Sequence, residues 1–338
     1  MRKCYLSKNY SNCDNAGNKA KTDIEAIIKD NGFINVGLKQ SHRSNKVTGF
    51  LLTLCGVLKA IFTIKKGDLL LLQYPFKKYY VFKCCIAHVK GAKVVTVIHD
   101  LGSFRRKKLT VHHEIWKLNH SEYIIAHNDS MHQWLSDHGC KAQIIDLSIF
   151  DYLSEQKPEA KNTEFNHYRI LYAGGLAKRK NAFLYTIGKH LQSLVLNIYG
   201  NGLDLNEMEG IEHVYYKGFM ASDDLIKKAE GDFGLAWEGS SLSSCEGDFG
   251  EYVKYNNPHK VSLYIRCNLP IIIWSQAALA PFVEQNGIGI SIDSLEDLED
   301  KLKQITPEQY LSMKRNTEKI SRNLSQGYYI MHALNQIP

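Results

Sequence analysis

The sequence predicts an α/β protein built from two doubly wound domains, each a parallel sheet covered by helices on both faces, with a cleft between them. Strand-like and helix-like segments alternate along most of the 338 residues. Candidate strands such as Val-Val-Thr-Val-Ile at 94–98 are near-continuous apolar runs, the pattern of strands buried on both sides. The alternation lapses once, at 151–168, into Ser, Glu, Lys, Pro and Asn, the composition of an interdomain linker.

In the first domain, residues 2–6 read as a strand and 11–17 as a polar loop. Ala20, Ile24, Ile27 and Ile28 follow at helical spacing, and Gly32 suits the helix stop. Further strands are expected at 69–73, 94–98, 123–126 and 143–146, with Asn128–Ser130 capping the helix before the last. The apolar run 47–64 is interrupted by Thr48, Gly49, Thr53, Gly56, Lys59 and Thr63 and is too broken for a membrane span. It reads as a packed amphipathic helix, with a helix touching a bilayer as the second reading.

A second alternation starts after the linker: strand 170–173, Gly174-Gly175, a helix near 181–190, strand 194–199, strand 214–216, a helix at 222–229 and strand 233–237. The helix opened by Pro258, strand 270–274 and strand 289–292 complete it. The segment 307–337 is helical in pattern, and its aromatic end is expected to pack back on the first domain. The expected architecture is therefore two Rossmann-like domains, 1–152 and 153–318, with 319–338 returning to the first.

Eight cysteines are scattered with no Cys-x-x-Cys pair, and the chain opens Met-Arg-Lys-Cys-Tyr-Leu-Ser-Lys with no apolar segment behind the charges. The expectation is a cytoplasmic protein. Residues 1–160 hold 24 Lys+Arg against 14 Asp+Glu, and the remainder 18 against 21. The densest cluster, Arg105-Arg106-Lys107-Lys108, is either a solvated loop or an attraction for anionic membrane or a phosphate-bearing acceptor. No recognised nucleic-acid motif accompanies it, and nucleic acid is not an expected partner.

Open parallel sheets bind ligands at the C-terminal ends of their strands. In the second domain these ends carry Gly174-Gly175-Leu176-Ala177-Lys178-Arg179, Tyr199-Gly200-Asn201-Gly202, Lys217-Gly218-Phe219, and Lys260 in the first turn of the Pro258 helix. Glycines let a nucleotide approach the backbone, and cations with helix amides offset a diphosphate. A cation in a helix's first turn opposes the helix dipole unless an anion accompanies it.

The order Tyr-Gly-Asn-Gly, Lys-Gly-Phe, Phe-Gly-Leu-Ala-Trp, then Lys-x-Ser-Leu-Tyr with Asn-Leu-Pro-Ile-Ile resembles bacterial GT-B glycosyltransferases. The resemblance is to galactofuranosyltransferases and the related glucosyltransferases that extend O-linked sugar on serine-rich adhesins. Asn15-Ala16-Gly17-Asn18-Lys19-Ala20 and Ile98-His99-Asp100 also look like that group. The resemblance implies a UDP-sugar donor, a glycan or lipid-linked sugar acceptor, and inverting transfer without metal or other cofactor.

By that resemblance Lys260 and Ser262 would serve the donor diphosphate with Arg179 or Lys178, and Phe219 would lie against the uracil. Tyr199 and Gly200, with Gly218, would border the nucleotide. Phe219 also reads as a core aromatic, and Lys260 as a solvent lysine. Gly17 would let the backbone approach donor phosphate or acceptor, with Lys19 adding charge; an ordinary turn and helix cap is the alternative.

Glu238 and Glu246 have the Glu-x7-Glu spacing of retaining GT-B enzymes. In those the second glutamate lies on the helix before the Gly-x-Pro-like break, where this chain has Leu263, with Tyr255 eight residues earlier. Inversion is the expectation, and it requires a general base. Asp100 is the expected base, with His99 orienting it or contacting donor phosphate; the two roles reversed are as sensible chemically, and Asp100 as a helix cap is the bland alternative. The histidines at 112, 113, 120, 127, 132 and 138 fix no ligand spacing and read as surface or core residues. A non-catalytic two-domain sugar binder is one rival, and a nucleotide-sugar epimerase or NAD enzyme another; for the latter the first strand is not followed by Gly-x-Gly-x-x-Gly.

Overall fold

The computed structural model describes residues 1–10, 16–76, 79–105, 109–160, 163–165 and 167–338. It divides into one unit of Met1–Asp151 with Gly327–Pro338, and a second of Tyr152–Gln326.

The first unit holds β1 (Lys3–Tyr5), β2 (Ile34–Asn35), β3 (Leu69–Tyr74), β4 (Lys93–Ile98), β5 (Tyr123–Ala126) and β6 (Gln143–Asp146), in the order β2-β1-β3-β4-β5-β6. Every pairing is parallel. All six residues of β3, Leu-Leu-Leu-Leu-Gln-Tyr, are buried, as a sheet covered on both faces demands. Helices α1 (Ala16–Asp30), α2 (Lys46–Thr63) and α3 (Tyr80–Val89) make the first crossovers, and the four-residue α4 (Gly102–Arg105) follows β4. The sequence reading missed β2, whose two residues at the sheet edge are too few to leave a periodicity. It also drew 11–17 as a loop: residues 11–15 lie outside the described residues, but Ala16 and Gly17 already belong to α1.

The second unit repeats the design with β7 (Arg169–Gly175), β8 (Val195–Asn201), β9 (Val214–Tyr216), β10 (Phe233–Ala236), β11 (Ile271–Trp274) and β12 (Gly289–Ile292), ordered β12-β11-β10-β7-β8-β9 and again wholly parallel. In place of the helix expected at 181–190 the chain makes a short helix, Lys178–Asn181, and two 3-10 turns, Ala182–Tyr185 and Ile187–His190. Thr186 and Gly188 are poor helix formers, and Asn181 is turned inward to bond Tyr172 and the Gly175 carbonyl.

Each sheet has a switch point where strand order reverses, between β1 and β3 and between β7 and β10. At the N-terminal edge of each switch an arginine clamps an aspartate across the gap. Arg2 reaches Asp68 at 2.8 Å and 2.5 Å, and Arg169 reaches Asp232 at 3.0 Å and 3.1 Å. The opposite, C-terminal ends of such strands are where open parallel sheets commonly bind ligands.

The helical tail is two helices, Pro307–Ser325 and Tyr328–Asn335. The break is at Gly327, φ 73°, where a Cβ would lie 2.4 Å from Ile27; the expected boundary at 319 falls inside the longer helix. Asp151 accepts from the Tyr329 and Ile330 amides at 3.1 Å and 2.7 Å, satisfying the start of the last helix and fastening it to the first unit. Replacing Asp151 by Ala is expected to cost about 1–2 kcal/mol, as for other lost helix caps, and to speed hydrogen exchange at residues 329–334. Unchanged exchange there would show that the helix is held by packing alone.

Candidate active site

At the second switch point Gly174 and Gly175 end β7, and Lys260 reaches toward them from the helix His259–Arg266. Its Nζ donates to Tyr172 Oη at 2.8 Å and stands 4.1 Å from the centre of that ring. A Cβ on Gly174 would lie 3.9 Å from Lys260 Cε, so the lysine stem runs directly beneath the end of the strand. Glu238, two residues beyond β10, is buried with its Oε1 3.4 Å from Lys260 Nζ and 3.0 Å from Lys180 Nζ. Burial pulls the Lys260 ammonium down to about 8 against the field of Glu238. Burial would raise Glu238, but Lys260 and Lys180 together hold it below the usual carboxylate range. Both groups are thus charged at neutral pH.

The anion that a first-turn lysine requires is therefore already present as Glu238, and the Lys260 side chain is only 10% exposed rather than a solvent lysine. Two ammonium groups still share one carboxylate, which leaves a surplus positive charge at the strand ends. Arg179 and Lys180 both stand over the Phe249 ring, at 5.6 Å and 5.7 Å, and extend the cationic side. Sequence reasoning missed Lys180 and set Glu238 aside because its Glu-x7-Glu match lies in the wrong context, away from the helix before the break. The available signal was its place just past the C-terminal end of a strand.

Other expected donor residues are distributed differently. Gly200, φ 142°, passes so close to β7 that a Cβ would be 1.8 Å from the Gly174 carbonyl; its amide donates to the Gly218 carbonyl at 2.9 Å. Gly200 and Gly218 therefore meet at neighbouring strand ends, and Phe219 beside them is 56% exposed, which removes its reading as a core aromatic. Tyr199 departs from expectation. Its ring is buried and its Oη accepts from the Glu230 amide at 3.4 Å, so both ring and hydroxyl are used within the fold. Ser262 is buried within its helix. Lys178 is exposed and pairs with Glu207.

In the first unit His99 and Asp100 directly follow β4, half-buried. His99 Nε2 stands 2.7 Å from Gln73 Oε1. The Gln73 amide is oriented by donation from its Nε2 to the Lys21 carbonyl at 3.2 Å, so Oε1 accepts from His99 Nε2–H and Nδ1 is the basic nitrogen of the neutral ring. The imidazole stacks on Phe150 at 5.4 Å and 11°; on Phe150 the His127 ring packs edge-on at 4.8 Å. His127 donates from Nε2 to the Ile98 carbonyl at 3.0 Å, and burial drives its pKa down to about 3, so it is a neutral prop for the end of β4. Glu114 accepts from the Gly102 and Ser103 amides at 2.7 Å and 2.8 Å and from Tyr74 Oη at 2.8 Å, and so satisfies the start of the short helix after β4.

Gly17 sits in the first turn of α1 rather than in a loop, and Lys19 is paired with Asp23 at 2.5 Å, so its charge is already met. Asn15 and the cluster residues Arg106, Lys107 and Lys108 lie outside the described residues. Among the described residues no group of three His, Cys, Asp or Glu is arranged to hold a metal ion.

The chain carries two parallel sheets with charged groups at their switch points, and comparison with known proteins gives their class. The Glucosyltransferase 3-like N-terminal domain matches residues 3–149 and the Glucosyltransferase 3-like C-terminal domain matches 170–337. The chain is 30% identical to the β-1,6-galactofuranosyltransferase WbbI of Escherichia coli K12 over 97% of its own length and 96% of that protein's. It is 22% identical to Glucosyltransferase 3 of Streptococcus gordonii over 92% and 90%. The lipopolysaccharide outer core galactosyltransferase WaaB shares its GT-B fold with a TM-score of 0.61 over 99% of both chains at 14% identity. The chain belongs to the Glucosyltransferase 3-like family of bacterial GT-B glycosyltransferases, enzymes of glycan synthesis.

Behind Gln73 lies a buried carboxyl. Glu25 accepts from Ser7 Oγ at 2.6 Å and Tyr10 Oη at 2.5 Å, and burial pushes its pKa up to about 7 from 4.5. The folded chain thus holds a proton that the unfolded chain releases, so this contribution is complete below about pH 4.5 and lost as pH rises through about 7. Melting temperature measured across that window is expected to fall less steeply in Glu25→Gln than in wild type; superimposable slopes would place the titration elsewhere.

Proposed function

We propose that the protein transfers a hexosyl group from a UDP-sugar to a glycan acceptor with inversion at the anomeric carbon and without a metal ion. The observation that carries this reading is the pair Lys180 and Lys260 converging on Glu238 beside the glycines of β7. A diphosphate arriving there meets surplus positive charge and open backbone, and these cations supply the offset that a metal gives elsewhere. Phe219, exposed next to the Gly200–Gly218 contact, is the stacking surface for uracil.

In the transfer step Asp100 takes the proton of the acceptor hydroxyl as that oxygen bonds to the anomeric carbon. The bond from that carbon to the diphosphate oxygen breaks, and UDP leaves with its charge held by Lys260, Lys180 and Arg179. His99, fixed by Gln73 and Phe150, is a positioning residue for Asp100 or a contact to the donor. Leu263, at the place of a retaining enzyme's glutamate, supports inversion.

Galactofuranose is the first candidate sugar, because the 30% identical relative bears that name over nearly the whole chain; galactose and glucose follow. The streptococcal relative's name supports a second reading, a glucosyltransferase acting on O-linked sugar of a glycoprotein. A cytoplasmic setting belongs to the proposal and is supported by seven cysteines without disulfides among the described residues.

Thermal-shift measurements with UDP, GDP, ADP and NAD test the donor: stabilisation by uridine nucleotides alone is expected, and stabilisation by NAD alone would sink the reading. Asp100→Asn is expected to keep UDP binding while losing at least about 100-fold in transfer, and Lys260→Ala to weaken UDP binding. Full turnover in Asp100→Asn would move the base elsewhere.

A further inference from the structure

Helix α2 packs on the first unit through a narrow strip, Gly56, Val57 and Ala60, with Gly56 against Leu38 and Thr63 Oγ1 bonded to the Val36 carbonyl at 2.7 Å. Its outward face is apolar. Val47, Leu51, Leu58 and Phe62 recur at helical spacing and are all exposed, Val47 by 68% and Phe62 by 83%. This runs against the sequence expectation of a packed amphipathic helix, in which the apolar stripe would face the core. Helix α3 begins beside the start of α2, where Phe50 meets Tyr79 at 6.4 Å. It adds exposed Phe82 and Val89 to the same unit's surface.

The surrounding charge identifies the occupant. Between Asp30 and Asp100 the sequence holds eleven Lys and Arg and one acidic residue, Asp68, which is buried against Arg2. Lys39, Arg43, Lys46, Lys59, Lys65, Lys66 and Lys90 are exposed on or beside the two helices. A second copy of this chain would bring two such cationic sets together and be repelled, whereas a continuous anionic surface suits both the charge and the apolar stripe.

We propose that the outer face of α2, widened by α3, lies flat in the surface of an anionic lipid bilayer. The helix, about 27 Å long, inserts Leu58 and Phe62 among the acyl chains while the lysines meet phosphate headgroups. It does not cross the bilayer, since its inner strip is held by the unit behind it. Because this surface belongs to the first unit and the donor lysines to the second, its failure and that of the UDP reading are separately visible.

The test is sedimentation of the full chain with vesicles of phosphatidylcholine alone or with about one-third phosphatidylglycerol. Wild type is expected to pellet with the anionic vesicles, less so in about 0.5 M salt. Leu58→Ser/Phe62→Ser, both exposed positions, is expected to bind at least about tenfold less with unchanged melting temperature and UDP stabilisation. Lys59→Gln/Lys65→Gln/Lys66→Gln, whose apolar face is intact, should also bind more weakly. Wild type remaining in the supernatant, or the serine variant pelleting as fully as wild type, overturns the proposal. So does a wild-type dimer that the serine variant dissolves in the absence of lipid binding, which would assign the face to a second copy.

Discussion

The second unit is organised around Glu238, a single buried carboxylate held between Lys180 and Lys260 at the point where strand order reverses. Removing one partner from such a buried pair commonly costs about 3–5 kcal/mol, because the remaining charge is left without water or counter-ion. The arrangement fixes Lys260 under the end of β7 and keeps it charged despite burial. It also leaves net positive charge there, since one carboxylate cannot neutralise two ammonium groups. Tyr172 and Asn181 support the cluster from below, Tyr172 bonding both Lys260 and Asn181.

The two units solve the same topological problem with different chemistry. Each clamps the N-terminal edge of its switch point with an arginine–aspartate pair, Arg2–Asp68 and Arg169–Asp232. The C-terminal edges then diverge. In the first unit Ser7, Tyr10, Glu25 and Gln73 form a buried hydrogen-bonded group ending at His99, suited to holding and orienting protons. In the second, lysines and glycines make a cationic, open edge suited to a diphosphate.

Much of the fold was legible because parallel sheets write strong signals: strand 94–98 is apolar but for Thr96 and 271–274 is apolar throughout, and the helices between strands are periodic. What failed to show were elements too short for a period, such as β2, and the helix near 181–190, which tertiary bonds to Asn181 turned into 3-10 segments. The site was legible as strand ends, not as contacts. Gly200, Gly218 and Lys260 fell where expected, but Tyr199 turned its ring inward, and Lys180 and Glu238 emerged only when separate strand ends were brought together.

By itself the sequence determined the alternation, the two-unit division and the loops that carry chemistry, since these depend on hydrophobic periodicity and on glycine and proline, which act locally. The tertiary structure alone decided which charges are met from within. Lys19 and Lys178 are paired with Asp23 and Glu207, whereas Lys180 and Lys260 share one carboxylate. It also decided which apolar residues of α2 face outward, because a helix's own periodicity names a stripe without saying whether protein covers it. Pairing and burial are relations between distant segments, and only the folded chain brings those segments together.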